Sequence, residues 1–396
     1  MTRPLHLAVA LDGAGWHPAA WRLPSARPTE LLTPGYWVDL VRRAEQGLLD
    51  FVTIEDALAL QSSVRTGPDG PVDEVRGRLD AVLVAARVAP LTARIGLVPT
   101  ATVTHTEPFH VSKAIATLDY VSTGRAGWRV QVSVRPDEAA HVGRRTVPPV
   151  VLDAGDPAAQ QLIADLFNEA GDAVEVVRRL WDSWEDDAEI RDVATGRFVD
   201  RDKLHYIDFE GRWFQVRGPS ITPRPPQGQP VVVALAHAAV PRAFAARSAD
   251  VVLITPTDNA QAAAEVAEIA AVRQQAGRDG ENHVFADLVV LLDADEDAAQ
   301  QRWAQLEGWS GRPLGSDAEV FVGTPRGLAD LLLARADAGL TGFRLRPAAL
   351  PQDLDTIVDA LVPELQRRNA FRERYEADTL RGLLGLTRPT NRYATR

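Results

Sequence analysis

The side chains best suited to chemistry sit at the ends of short apolar runs. The run at 51–55 closes on Asp56, whose carboxylate can accept hydrogen bonds from a cofactor or cap a following helix. The run at 95–101 leads into TATVTHTEPFH (100–110), which concentrates hydroxyls, two histidines and Glu107. Thr102 and Thr104 can donate to a ligand, and Glu107-Pro108 reads as a helix start because Pro is favoured in a first turn. His105 and His110 read as structural hydrogen-bonding residues. After the run at 5–11 come Trp16, His17, Trp21 and Arg22, a cluster suited to a planar or anionic ligand, or to packing its own loop. HExxH and every other His/Asp/Glu metal spacing are missing, as is the GxSxG elbow of a serine hydrolase. The chain has no cysteine, so disulfides and thiolate metal sites are excluded.

These ends need a scaffold. Strand-like runs at 5–11, 51–55, 95–101, 128–133, 231–236, 251–255, 284–292 and 342–345 alternate with helical patterns at 36–46, 81–89, 111–121, 173–184, 260–275 and 354–368. Such alternation predicts a parallel sheet. Eight strands close a (β/α)8 TIM barrel. An open doubly wound sheet shares the local pattern, but it would carry GxGxxG after its first strand, and none is present. Closure therefore puts the candidate residues on the loops at the strand C-termini, where barrel enzymes work. Two segments break the rhythm: a Pro/Gly/Asp-rich stretch at 134–160, expected as a long loop on the C-terminal face, and 196–230, expected as an inserted hairpin turning at Glu210-Gly211. Trp181 and Trp184, i and i+3 in LWDSWEDDA, read as packing residues. Residues 1–396 are expected to form one domain, a usual length for a barrel.

The composition, 45% hydrophobic, supports a large core, while the net charge of −11 disfavours nucleic acid and anionic membranes as partners. No apolar run reaches the ~20 residues of a membrane span, and the first residues lack a secretory pattern. The expectation is a cytoplasmic protein acting on a small molecule.

Longer motifs go further. THTEPFHVSKAIATLDYVSTGRAGW (104–128), LWDSWEDDA (180–188), the GRWFQVRGP…PRPPQGQPV run (211–231) and LVPELQRRNAFRERYEADTLRGLLGL (361–386) resemble the nitrilotriacetate monooxygenase component A branch of the luciferase-like flavin monooxygenases. The similarity runs from residue 5 to about 386 and implies a TIM barrel, a homodimer, and oxygenation of a small organic substrate with O2 and reduced FMN from a separate flavin reductase. Carried over residue by residue, it makes Asp56, Thr102 and Ser133 cofactor-binding. Other positions depart from the family pattern. Arg129 and Val132 replace an Asn and a Thr, and Leu166-Phe167 replaces an Arg-Tyr pair. The phosphate loop, roughly Q-A-G-x-S-x-x-G in the family, reads ALAHAAVP at 234–241: Ala238 stands for the serine, and Ala236 and Pro241 for two glycines. A Cβ there obstructs backbone approach to a phosphate and Pro241 removes an N–H, leaving His237 to supply a donor. Two further readings follow. One is a barrel whose flavin site has degraded, catalysing or binding through Arg129, His17, His141 and Asp56 without flavin. The other is a deazaflavin-dependent oxidoreductase.

Overall fold

The computed structural model describes residues 4–64, 70–148, 156–278, 280 and 282–394. Eight parallel strands close a ring: β1 (His6–Leu11), β2 (Phe51–Ile54), β3 (Gly96–Thr102), β4 (Gly127–Gln131), β5 (Val231–Leu235), β6 (Val251–Ile254), β7 (His283–Leu292) and β8 (Gly342–Pro347), with β8 pairing back onto β1. A further parallel strand, Glu319–Gly323, adds to the end of β7 outside the ring; the sequence reading had no strand there. Around the ring lie α1 (Pro34–Gln46), α2 (Ala81–Val88), α3 (Pro108–Val121), α4 (Pro136–Val142), α5 (Pro157–Asp182), α6 (Ala239–Ser248), α7 (Asn259–Gln275), α8 (Glu296–Ser310) and α9 (Pro325–Ala336). Their starts are written locally: Thr33 with Pro34 opens α1, Asp80 caps α2 through Leu83 N, and Pro108 opens α3 as expected.

Two expectations change in detail. The stretch at 134–160 is not one loop, because α4 forms inside it and α5 already begins at Pro157; residues 149–155 lie outside the described residues. The inserted hairpin is two short antiparallel pairs, Glu189–Asp192 with Arg197–Val199 and Phe209–Glu210 with Gln215–Val216, the second turning where Glu210-Gly211 was expected to turn. Trp181 and Trp184 pack as expected, each indole N–H donating to a carbonyl, of Ser112 and Ser220.

Strand alternation sorts the barrel interior into layers. Ala8, Phe51, Val98, Val233, Leu253 and Phe285 form an apolar lower layer with Leu380 and Leu384 of the C-terminal segment. That segment is admitted by glycine: a Cβ on Gly96 would lie 2.6 Å from Leu380 Cδ1, and one on Gly127 would lie 3.2 Å from Cδ2. Two residues further along β2, β3, β4, β7 and β8 the same inward face turns polar, as Thr53, Thr100, Arg129, Asp287 and Arg344, all buried. The sheet thus delivers charge to the barrel mouth on an apolar floor.

Candidate active site at the barrel mouth

Arg129, on β4, is 3% exposed. Its Nε donates to Thr100 Oγ1 at 2.7 Å, and its Nη2 pairs with Glu55 Oε2 at 2.5 Å. The other Glu55 oxygen accepts from Arg344 Nη1 at 3.0 Å, and Arg344 forks onto Asp287, which also pairs with Arg346. Burial alone would raise the Glu55 carboxyl, but Arg129 and Arg344 hold it below the usual carboxylate range. The registers explain the meeting: Arg129 sits opposite Thr100 and Arg344 opposite Asp287, while Glu55 follows β2. Glu55, and not the neighbouring Asp56, is the carboxylate that meets Arg129.

Above this network a cavity of about 780 Å³ opens at the strand C-termini. Its wall includes Asp12, Trp16, His17, Trp21, Asp56, Arg78, Glu138, Phe167, His237 and Phe244. Asp12 and Arg78 form a forked pair, 2.8 and 3.2 Å. Trp16 covers Arg346, with the guanidinium 5.2 Å from the ring centre. Two wall residues carry buried polar atoms without partners. His17 is 1% exposed; its Nδ1 accepts from Ala19 N at 3.2 Å, so the neutral ring carries its proton on Nε2, which has no acceptor. Burial lowers its pKa to about 4, keeping it neutral. Glu138, on α4, is fully buried; its Oε1 lies 3.8 Å from Arg135 Nε, beyond hydrogen-bond reach, and burial pushes its carboxyl upward against the Arg135 charge.

The loop after β5 forms the cavity edge. Ala238 takes the N-cap position of α6 in an extended conformation with no side-chain cap bond. The N–H groups of Ala239 and Val240 have no intrahelical acceptor at this end, and Pro241 has no N–H. His237 is exposed beside them.

The candidates from sequence therefore divide. His17, Arg129, Asp56 and His237 come together on the cavity. Asp56 spends its carboxylate on backbone, accepting from Ala57 N at 2.8 Å and Ala81 N at 2.9 Å, so the capping role raised for it is present alongside its place in the wall. Thr102 is buried and lines a smaller neighbouring cavity with Asp56 and His110. Ser133 is buried off the wall, its N donating to Thr104 Oγ1 and its Oγ accepting from Arg135 N. The structure leaves His141 exposed on α4, away from the cavity wall. His105 departs from its expected structural role, since both ring nitrogens are buried without partners. Arg22 packs its loop, donating to Trp309 O. Reading from sequence missed Glu138, the Asp12–Arg78 pair and the Asp287–Arg344–Arg346 cluster. Asp287, a single acid within the apolar run of β7, was the available signal, because a buried carboxylate demands a partner.

Fold and site together define a barrel enzyme scaffold with a polar cavity at its catalytic face. The luciferase-like monooxygenase family model matches residues 16–313. N-acetyl-S-(2-succino)cysteine monooxygenase of Bacillus subtilis (strain 168) is 31% identical, over 99% of both chains. Nitrilotriacetate monooxygenase component A of Aminobacter aminovorans is 30% identical, over 99% of this chain and 98% of that one. Among solved structures, a long-chain alkane monooxygenase superposes with a TM-score of 0.85 at 24% identity, covering 97% of this chain and 96% of the other. A riboflavin lyase holding modified FMN and riboflavin also superposes with a TM-score of 0.85, at 25% identity over 98% of each chain. The chain belongs to the luciferase-like monooxygenase family. Among the described residues, no group of three or more His, Asp or Glu side chains could hold a metal ion, and no helix is long and apolar enough to cross a membrane.

Proposed function

We propose that this chain is the oxygenating component of a two-component monooxygenase, using O2 and reduced FMN from a separate flavin reductase to oxygenate a small organic molecule. The observation that carries the reading is the 780 Å³ cavity at the strand C-termini with an uncapped helix N-terminus on its edge. A flavin fits the residues present. Its phosphate would lie at the start of α6, where the Ala239 and Val240 N–H groups and His237 face an anion favoured by the helix dipole. Its ring would lie in the cavity over Arg129 and Asp56. Bound reduced flavin supplies the activation of O2. The protein's part is to keep water out and to place donors: Trp16, Trp21 and Phe167 wall the cavity, His17 offers a neutral N–H, and Glu138, its carboxyl pushed upward by burial, is a second group able to hold a proton on the wall. In this reading the protein works as a homodimer in the cytoplasm.

Anaerobic titration with reduced FMN, followed by fluorescence and heat, tests the reading. Micromolar or tighter binding is expected, and binding only in the millimolar range overturns it. One observation favours a second reading, flavin-independent catalysis or ligand binding: Arg129 is locked onto Glu55 at the mouth while Pro241 lacks an N–H. Substrate turnover without any flavin would select it.

A further inference from the structure

A second large cavity, about 860 Å³, lies at the opposite end of the barrel, where Gln229 and Asp250 precede β5 and β6. Six arginines line it: Arg178 of α5, Arg247 of α6, Arg273 of α7, Arg278 just beyond it, and Arg381 and Arg392 of the C-terminal segment. Three acids face them. Glu175 and Asp182 are taken by Arg392, at 2.8 and 3.3 Å. Among the described residues, the only acid within ion-pair reach of the other guanidiniums is Asp250. Its carboxylate lies 2.9 Å from Arg178, 3.8 Å from Arg381 and 3.9 Å from Arg278. Arg273, 6% exposed, reaches only carbonyl oxygens, of Ala246 and Ala249 at 3.2 Å and Gly280 at 3.5 Å. The Arg247 side chain pairs with no described residue, and Arg178 Nε is buried without an acceptor.

Arg178, Arg273 and Arg381 are largely withdrawn from water; buried positive charge in excess of its counter-charge is costly, and the ordinary remedy is a paired anion. The strain registers in the cluster: burial, with repulsion from Arg178 and Arg273, pulls Arg278 down to about 10, and burial lowers Arg273 and Arg381 as well. A guanidinium binds oxyanions through two parallel N–H donors, so several converging guanidiniums select for multiple negative charge. We infer that this cavity is a binding site for a multiply charged oxyanion, a phosphorylated or polycarboxylated small molecule, distinct from the cavity at the barrel mouth. It is independent of the flavin reading.

The test uses the full chain with pyrophosphate, inorganic phosphate and citrate, each against sodium chloride of equal ionic strength, by calorimetry and thermal melting. One anion per chain is expected, with a melting temperature raised beyond the chloride control. Pyrophosphate outbinding citrate assigns a phosphorylated ligand; the reverse order assigns a polycarboxylate. Arg278→Gln and Arg247→Gln should each weaken binding by about tenfold, the scale of one charge-assisted bond, while Arg87→Gln, on the exposed face of α2, should not. Arg247 is exposed and unpaired, so its variant keeps the test valid if Arg278→Gln fails to fold. Heats no larger than chloride gives, or equal binding by Arg247→Gln and the unaltered chain, would overturn the site and leave a solvated arginine cluster.

Discussion

Arg129 is one of the positions read from sequence as departing from the family pattern, and the structure gives it a structural obligation. It neutralises one side of Glu55 within a chain of ion pairs that includes Arg344, Asp287 and Arg346. Removing one member of a buried pair leaves an uncompensated charge at a cost of about 3–5 kcal/mol. Arg129→Ala should therefore lose about 3 kcal/mol in urea denaturation, tempered because Arg344 still faces Glu55; a loss under about 1 kcal/mol would mean that water already reaches the pair. His17 yields a pH prediction. Its folded pKa, about 4, lies below the ordinary histidine value of 6.5. The unfolded chain thus binds the extra proton first, and this contribution is complete above pH 6.5 and lost as pH falls towards 4. His17→Gln should flatten the stability profile in that window and leave it unchanged above pH 7. A profile as steep in the variant as in the unaltered chain would remove His17 as the cause. At this scale the sequence showed which residue was unusual but not its partner, because pairing depends on strand register. Glu138 was invisible for a related reason: its burial depends on how α4 folds back over the cavity, and no local pattern encodes that.

At the scale of elements, the eight barrel strands were legible to within a residue or two because each is a short apolar run bounded by turns. The strand Glu319–Gly323 was not, since its apolar run, Val320 to Val322, is only three residues long and only its last residue is buried. The first sixteen residues of α5, 157–172, also escaped, its opening turn being largely exposed. The loop before α6 was expected to be poor in phosphate donors; in the structure its first turn has no side-chain cap and its third position is proline. Pro241→Ala restores one N–H to that turn without adding a flexible glycine. If FMN phosphate binds there, affinity should rise about tenfold, the equivalent of about 1.5 kcal/mol for one charge-assisted bond. Fluorescence titration measures it, and unchanged affinity would place the phosphate elsewhere on the cavity edge.

Across the whole molecule, side-chain character is divided along the barrel axis, and the division begins in strand alternation. Phe51, Val98 and Phe285 fill the lower barrel, Thr53, Thr100 and Asp287 the layer above, and the cavity stands on top. Closure itself was predictable from strand count and the missing dinucleotide fingerprint. The plug was not, because the segment holding Leu380 and Leu384 is far in sequence from Gly96 and Gly127, whose missing side chains receive it. Leu380 is fully buried against this floor, and Arg381 beside it donates from its N to Gln227 Oε1 and from Nη1 to Gln229 O, tying the segment to the start of β5. Leu380→Ala should cost about 2–5 kcal/mol, since the glycines opposite offer no side chains to collapse into the gap. The loss should appear in denaturant midpoint while leaving FMN affinity within about twofold, because the charged layer separates plug from cavity. A stability loss with a matching fall in affinity would instead show that the layers move as one, and that the floor of the barrel sets the geometry of its mouth.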